Sequence, residues 1–178
     1  DELNLGQISP EMASSVEAPF TDEEVKKVIM DMPSDRAPGP DGFSGLFFKV
    51  CWEIIAQDFM AVIKALFDAR FYSFGRLNSS IITLLPKKSD SLEVSEFRPI
   101  NLIHGVAKIF AKVLASRIAP ILPTIISPAQ SAFVSKRNMH ENFKFVRSTA
   151  KWLHQKCKQA VLTKLDISKA FDTLSWEF

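Results

Sequence analysis

An apolar run, Ala160 to Leu165, delivers a carboxylate, Asp166, within the stretch Lys-Leu-Asp-Ile-Ser-Lys-Ala-Phe-Asp-Thr-Leu-Ser-Trp from Lys164 to Trp176. If Ala160 to Ile167 form a strand, Val161, Thr163, Leu165 and Ile167 point to one face. Leu162, Lys164 and Asp166 point to the other. An acid at the end of such a strand can reach solvent and a hard cation. Magnesium takes oxygen ligands in a near-octahedral shell, and one or two protein carboxylates suffice when phosphate oxygens complete it. A lone aspartate at a strand end is more commonly a turn former or a cap. Asp172, six residues on, offers a second ligand or the cap of a short helix.

Other chemistries have less support. Cys51 and Cys157 stand far apart in no Cys-x-x-Cys pattern, so they read as free buried thiols. His104, His140 and His154 have no partner at metal-ligand spacing. No apolar run reaches the roughly 18 residues of a membrane span, and no signal peptide opens the chain, which begins at Asp1 without methionine. The 178 residues are 47% hydrophobic and 24% charged, the balance of a folded chain with a core. The net charge of +2 hides an asymmetry. Residues 1–78 carry 7 Lys/Arg against 13 Asp/Glu, and residues 79–178 carry 15 against 7. A half at +8 beside a half at −6 suggests either a polyanion-facing surface or an uneven but merely solvated one.

The elements that must position these groups can be read from periodicity and punctuation. Residues 1–19 lack a period and read as an extended leader. Thr21 with Glu24 has capping-box spacing, and Val25, Val28, Ile29 and Met32 make the apolar stripe of a helix that Pro33 ends. The loop from Pro33 to Phe43 is too rich in proline and glycine for helix or central strand. A second helix is expected from about Leu46 to Ala69. Ile81 to Leu85 reads as a strand broken by Pro86-Lys87-Lys88, with Phe97 to Ile103 as its partner and Ser89 to Ser95 as the hairpin tip. A helix follows from Gly105 to Ile118, then an irregular connector punctuated by Pro120, Pro123 and Pro128. Asn138 caps a helix to about Lys156. Its apolar positions Met139, Phe143, Val146, Ala150 and Leu153 run beside a basic stripe of Lys144, Arg147, Lys151, His154 and Lys158, either a polyanion surface or a solvated face.

Several segments, in order, resemble reverse transcriptases of non-LTR (LINE-type) retrotransposons. Ala37-Pro-Gly-Pro-Asp-Gly-Phe is similar to their early loop motif, and Ile81-Ile-Thr-Leu-Leu-Pro-Lys-Lys to their first fingers strand. Phe97-Arg-Pro-Ile-Asn-Leu, with Lys108-Ile-Phe-Ala-Lys and Leu114-Ala-Ser-Arg-Ile, resembles the second fingers motif and its helix. Gln130-Ser-Ala-Phe-Val with Arg137 and Asn142 resembles an insertion typical of the group. There the family usually has glycine at the position of Ala132 and often aspartate at that of Glu141. Lys164 to Trp176 resembles the first catalytic motif of the palm.

The resemblance implies an α+β chain with the right-hand fold of these polymerases, covering the fingers lobe and a truncated beginning of the palm. Its divisions would be residues 1–32 as leader and N-terminal helix, 33–158 as fingers and connecting helices, and 159–178 as the start of the palm. It also implies RNA-directed DNA polymerase activity on an RNA template, a DNA primer and deoxynucleoside triphosphates, with two Mg2+ ions in the complete enzyme. Asp166 matches the first palm carboxylate, and Ile167 would offer its backbone carbonyl to the nucleotide-bound ion. Arg98 matches the arginine that contacts the triphosphate, and Lys87 or Lys88 would add a second cation. Phe171 matches the bulky residue under the sugar that disfavours a 2′-hydroxyl. The alternatives are a catalytically incomplete nucleic-acid-binding relic and an RNA-dependent RNA polymerase fragment.

Overall fold

The computed structural model of the chain describes residues 7–68, 74–167 and Ser175. They form two compact units, Asp1–Pro128 and Ala129–Phe178. The first combines helices with a single hairpin, as an α+β chain should.

Local chemistry explains the first helices. In α1 (Pro10–Glu17), the Ser9 hydroxyl accepts from the Met12 amide and Pro10 occupies the first turn. The expected extended leader is therefore wrong over this segment. Serine before proline is a helix-start signal, although no apolar stripe follows it here. In α2 (Asp22–Asp31) the capping box forms as read: Thr21 Oγ1 accepts from the Glu24 amide and Glu24 returns a carboxylate to the Thr21 amide. The expected second helix occurs as two, α3 (Gly45–Val50) and α4 (Trp52–Phe67), separated by Cys51. No proline or glycine marks that junction, so periodicity ran through it.

Val25, Val28 and Ile29 of α2, Phe48 of α3, and Trp52, Phe59 and Ile63 of α4 make the core. Ile109 and Val113 of α6 (Gly105–Ile118) complete it. The short α5 (Phe74–Leu77) then leads into the hairpin. Strand β1 (Ser80–Pro86) pairs antiparallel with β2 (Phe97–Ile103), from Ser80 opposite Ile103 to Pro86 opposite Phe97. Both strands contain proline. At the tip a 3-10 turn, Val94–Glu96, is closed by the Glu96 carboxylate, which accepts from the amides of Leu92 and Glu93.

One side chain joins three helices. Arg117, near the end of α6, meets Glu24 of α2 through two parallel bonds, Nε to Oε1 at 2.9 Å and a terminal nitrogen to Oε2 at 2.7 Å. The same guanidinium donates to the carbonyls of Val16, Ala18 and Pro19, where α1 ends, and lies 4.4 Å from the Phe20 ring centroid. A planar fork satisfies a carboxylate and helix-end carbonyls together, which an ammonium could not do.

The second unit contains α8 (Met139–Gln155), capped by Asn138 as read; a short α7 (Leu122–Ile125) precedes it in the first unit. Residues 160–167 are not a strand, contrary to expectation. A strand needs a partner for its backbone groups, and the described residues of this unit provide no second extended segment. Cys51 is half-buried and Cys157, at the end of α8 with φ 49°, is exposed rather than buried. No helix among the described residues is long and apolar enough to cross a membrane.

Arg117 holds Glu24 below its ordinary carboxylate value of 4.5, chiefly by its side-chain hydrogen bonds, against an opposing push from burial. A lowered folded pKa gives stability that is present above 4.5 and lost as pH falls through the folded value. We expect Arg117→Ala to destabilise the fold by roughly 2–3 kcal/mol at neutral pH, the range for charge-assisted hydrogen bonds. Denaturant titration followed by circular dichroism measures this. Glu24→Gln should flatten the loss of stability between pH 5 and pH 3, about where an ordinary glutamate titrates.

Candidate functional site: a basic hairpin face, an aspartate and a basic helix

The hairpin register decides which of its groups act together. Leu85 stands opposite Arg98, so their side chains share a face with the pairs Thr83–Ile100 and Ile81–Leu102. Lys87 continues β1 two residues beyond Leu85, and its amide donates to the Glu96 carbonyl at 2.8 Å. That bond carries the ladder one residue past β1 and assigns Lys87 to the face of Arg98, while Lys88 stands in the turn that follows. All three are exposed. The Lys87 ammonium donates to the Ser95 carbonyl at 2.7 Å, which draws it toward the hairpin tip. The Lys88 amide donates to Ser91 Oγ at 3.2 Å, and Ser91 Oγ donates back to the Lys88 carbonyl.

The same face covers a cavity of 530 Å³ lined by Thr83, Leu85, Ile100, Phe43, Arg36 and Lys108, among others. Its walls are mainly apolar, and Arg36 and Lys108 supply the cations. Lys108 also donates to the Ala37 carbonyl at 3.3 Å, linking α6 to the proline-rich loop.

That loop is built around a turn in which the Gly42 amide donates to the Gly39 carbonyl at 3.0 Å. Pro40 has the φ such a turn needs at its second position, and Gly42 takes φ 72°, where a side chain would be strained. Asp41 uses both oxygens. Oδ1 accepts from the Phe43 amide at 3.2 Å, and Oδ2 accepts from the Gly105 amide at the start of α6. Sequence reading gave Asp41 no task, because its partner lies 64 residues away.

In the second unit, Asp166 and Ile167 are exposed and lie outside regular structure. Among the described residues, no three His, Cys, Asp or Glu side chains come together as a metal cluster. Phe171 lies outside the described residues. The basic stripe of α8 is exposed throughout at Lys144, Arg147 and Lys151. The neighbouring apolar stripe is uncovered too, with Met139 68% and Phe143 67% exposed. Arg137 donates to the Gln130 carbonyl at 2.7 Å. Asn142 donates to the Ala129 carbonyl and to Ser131 Oγ, both at 3.0 Å. These two residues of the quoted insertion therefore organise their own loop.

The family profile described as reverse transcriptase (RNA-dependent DNA polymerase) matches residues 85–178, which include Arg98, the basic helix and Asp166. Among curated proteins, the chain is 28% identical over 174 residues to the transposon TX1 uncharacterized 149 kDa protein of Xenopus laevis. That match covers 98% of this chain and 13% of that protein. It is 27% identical to the retrovirus-related Pol polyprotein from type-1 retrotransposable element R2 of Nasonia vitripennis, over 88% of this chain and 14% of that protein. It is 24% identical to the RNA-directed DNA polymerase from mobile element jockey of Drosophila funebris, over 86% and 17% respectively. The chain thus spans less than a fifth of these relatives' length.

The α8 stripe is a direct test of polyanion contact. Reversing Lys144, Arg147 and Lys151 to glutamate together should weaken RNA binding and flatten its salt dependence by about three counterions. Filter binding at several salt concentrations measures both. Unchanged affinity and slope would make the stripe a solvated face.

Proposed function

The chain belongs to the reverse transcriptase (RNA-dependent DNA polymerase) family, and we propose that it is the fingers lobe and the beginning of the palm of an RNA-directed DNA polymerase from a non-LTR retrotransposon. The observation that carries this reading is the family match over residues 85–178, whose positions include the groups the chemistry needs. The three relatives, all from mobile elements, support the retrotransposon source.

The substrates would be an RNA template, a DNA primer and deoxynucleoside triphosphates. Arg98 binds the triphosphate. Its guanidinium is permanently charged and planar, so it can take two phosphate oxygens at once. Its exposed position on the face shared with Leu85 supports that role. Lys87, on the same face, adds charge, and Lys88 stands at the adjoining turn. Lys144, Arg147 and Lys151 carry phosphates of the nucleic acid. Phe171 sets sugar choice through bulk beneath the ribose.

Asp166 and the carbonyl of Ile167 are hard oxygen donors that suit magnesium, which needs few protein ligands when phosphates share its shell. They would hold the metal in the complete enzyme. The chemistry such an ion would supply there is charge neutralisation in phosphoryl transfer. One such carboxylate does not hold two ions, so the 178-residue chain alone should give no primer extension.

Three substitutions in the intact polymerase separate these roles. Asp166→Asn preserves volume and removes charge, so it should abolish primer extension while leaving RNA affinity within about twofold. Arg98→Ala should chiefly raise KM for deoxynucleotides, by about tenfold or more for a lost charge-assisted contact. Phe171→Ala should admit ribonucleotides. Primer-extension assays with each nucleotide pool measure all three, and near-normal extension by Asp166→Asn would overturn the assignment.

A further inference from the structure

We propose that Asp41 is a positioning residue for the nucleotide-contacting face of the hairpin, an inference that rests on assigning Arg98 to the triphosphate. Both strands join the chain of the first unit at one narrow base, while one face of the hairpin lies over the cavity. β1 begins at Ser80, directly after Ser79, and β2 ends at Ile103, directly before His104. Ser80 and Ile103 are paired, and just beyond them Ser79 Oγ lies 3.1 Å from His104 Nε2. The other ring nitrogen of His104 lies 3.7 Å from Asp41 Oδ2. That same oxygen accepts the Gly105 amide proton.

Three features make this a mount for the hairpin. His104 precedes α6 without capping it through its own side chain, so the first amides of the helix need an outside acceptor. Asp41 provides one, and its charge suits the positive end of the helix dipole. The loop backbone also lies directly against the exit strand, since a Cβ on Gly39 would stand 2.1 Å from the Ile103 carbonyl oxygen. Finally, Asp41 is well covered, with 15% of its side chain exposed, so its bonds face little competition from water.

The lever is long. Arg98 stands five residues before Ile103, roughly 16 Å along the strand at about 3.3 Å per residue. A tilt of roughly 10° at the base would move Arg98 by about 3 Å, far more than a bidentate phosphate contact tolerates. A two-stranded ribbon has little stability of its own to resist such a tilt. Asp41 therefore fixes the angle at which Arg98 is presented, without touching substrate.

The test joins steady-state kinetics of the intact polymerase to hydrogen–deuterium exchange. Asp41→Ala should raise KM for deoxynucleotides about tenfold, the order expected for a displaced contact, with kcat within about twofold. Exchange should quicken in residues 80–86 and 97–105 while residues 25–32 and 59–66 keep their protection. Asp41→Asn retains an oxygen that accepts from Gly105 and should restore most of the KM. Gly39→Ala removes no charge but drives a methyl group into Ile103, so it should reproduce the Asp41→Ala behaviour and serves if that variant fails to fold. A fall in kcat alone, unchanged KM in both Asp41→Ala and Gly39→Ala, or a uniform rise in exchange across the core would overturn the proposal. Arg98→Ala separates the two readings. If it raises KM and the base variants do not, only the positioning role fails; if it leaves KM unchanged, the triphosphate assignment fails and the positioning role with it.

Discussion

Among the described residues the hairpin has two edges and no further strand beside it, and one face lies over a cavity, so the contacts at its ends bear most of its orientation. Here the ends meet at Ser79 and His104, and the loop from Ala37 to Phe43 sits against them. The glycines and prolines of that loop have separate duties. Gly39 allows backbone to meet backbone, Pro40 and Gly42 shape the turn, and Asp41 ties that turn to α6. A segment that carries no reactive group thereby braces the base of the hairpin.

A second tie works at the opposite end of the same helix. Arg117 takes the Glu24 carboxylate and the carbonyls at the end of α1, so α6 is fixed at its start by an acid and near its end by a base. Between them, Ile109 and Val113 are fully buried in the core that α6 shares with α2, α3 and α4. The core supplies the cohesion, and the two charged contacts supply the register. This division is common physics: apolar burial is non-directional, while a bidentate pair or an occupied helix terminus admits one arrangement.

What could be read from the sequence follows from the range of the forces involved. The α2 capping box is set by residues three positions apart, the β1–β2 pairing is marked by two apolar runs joined by a short polar tip, and α6 is marked by its own periodicity; each formed where pattern and punctuation put it. α1 was missed because its start signal is local but its face is not apolar. The break at Cys51 carries no breaker residue. The supposed strand at residues 160–167 failed for a different reason, since alternation describes a surface and cannot provide the neighbour that makes it a strand. Of the candidate groups, Arg98 and Lys87 share a face because register is legible. The tasks of Asp41 and Arg117 depend on partners 64 and 93 residues distant, which no spacing rule encodes.

The prolines of the hairpin have one more effect. Ile81-Ile82-Thr83-Leu84-Leu85 is an uncharged, β-branched and apolar run, and four of its five side chains are about half exposed or more. That composition on an open edge is what stacks into cross-β fibrils. Pro86 ends the run with a residue that cannot donate to a further strand, Lys87 and Lys88 add like charges that repel a second copy, and Pro99 leaves one position of the partner strand without a donor. Lys87 and Lys88 thus act as gatekeepers, keeping an exposed ribbon from self-association.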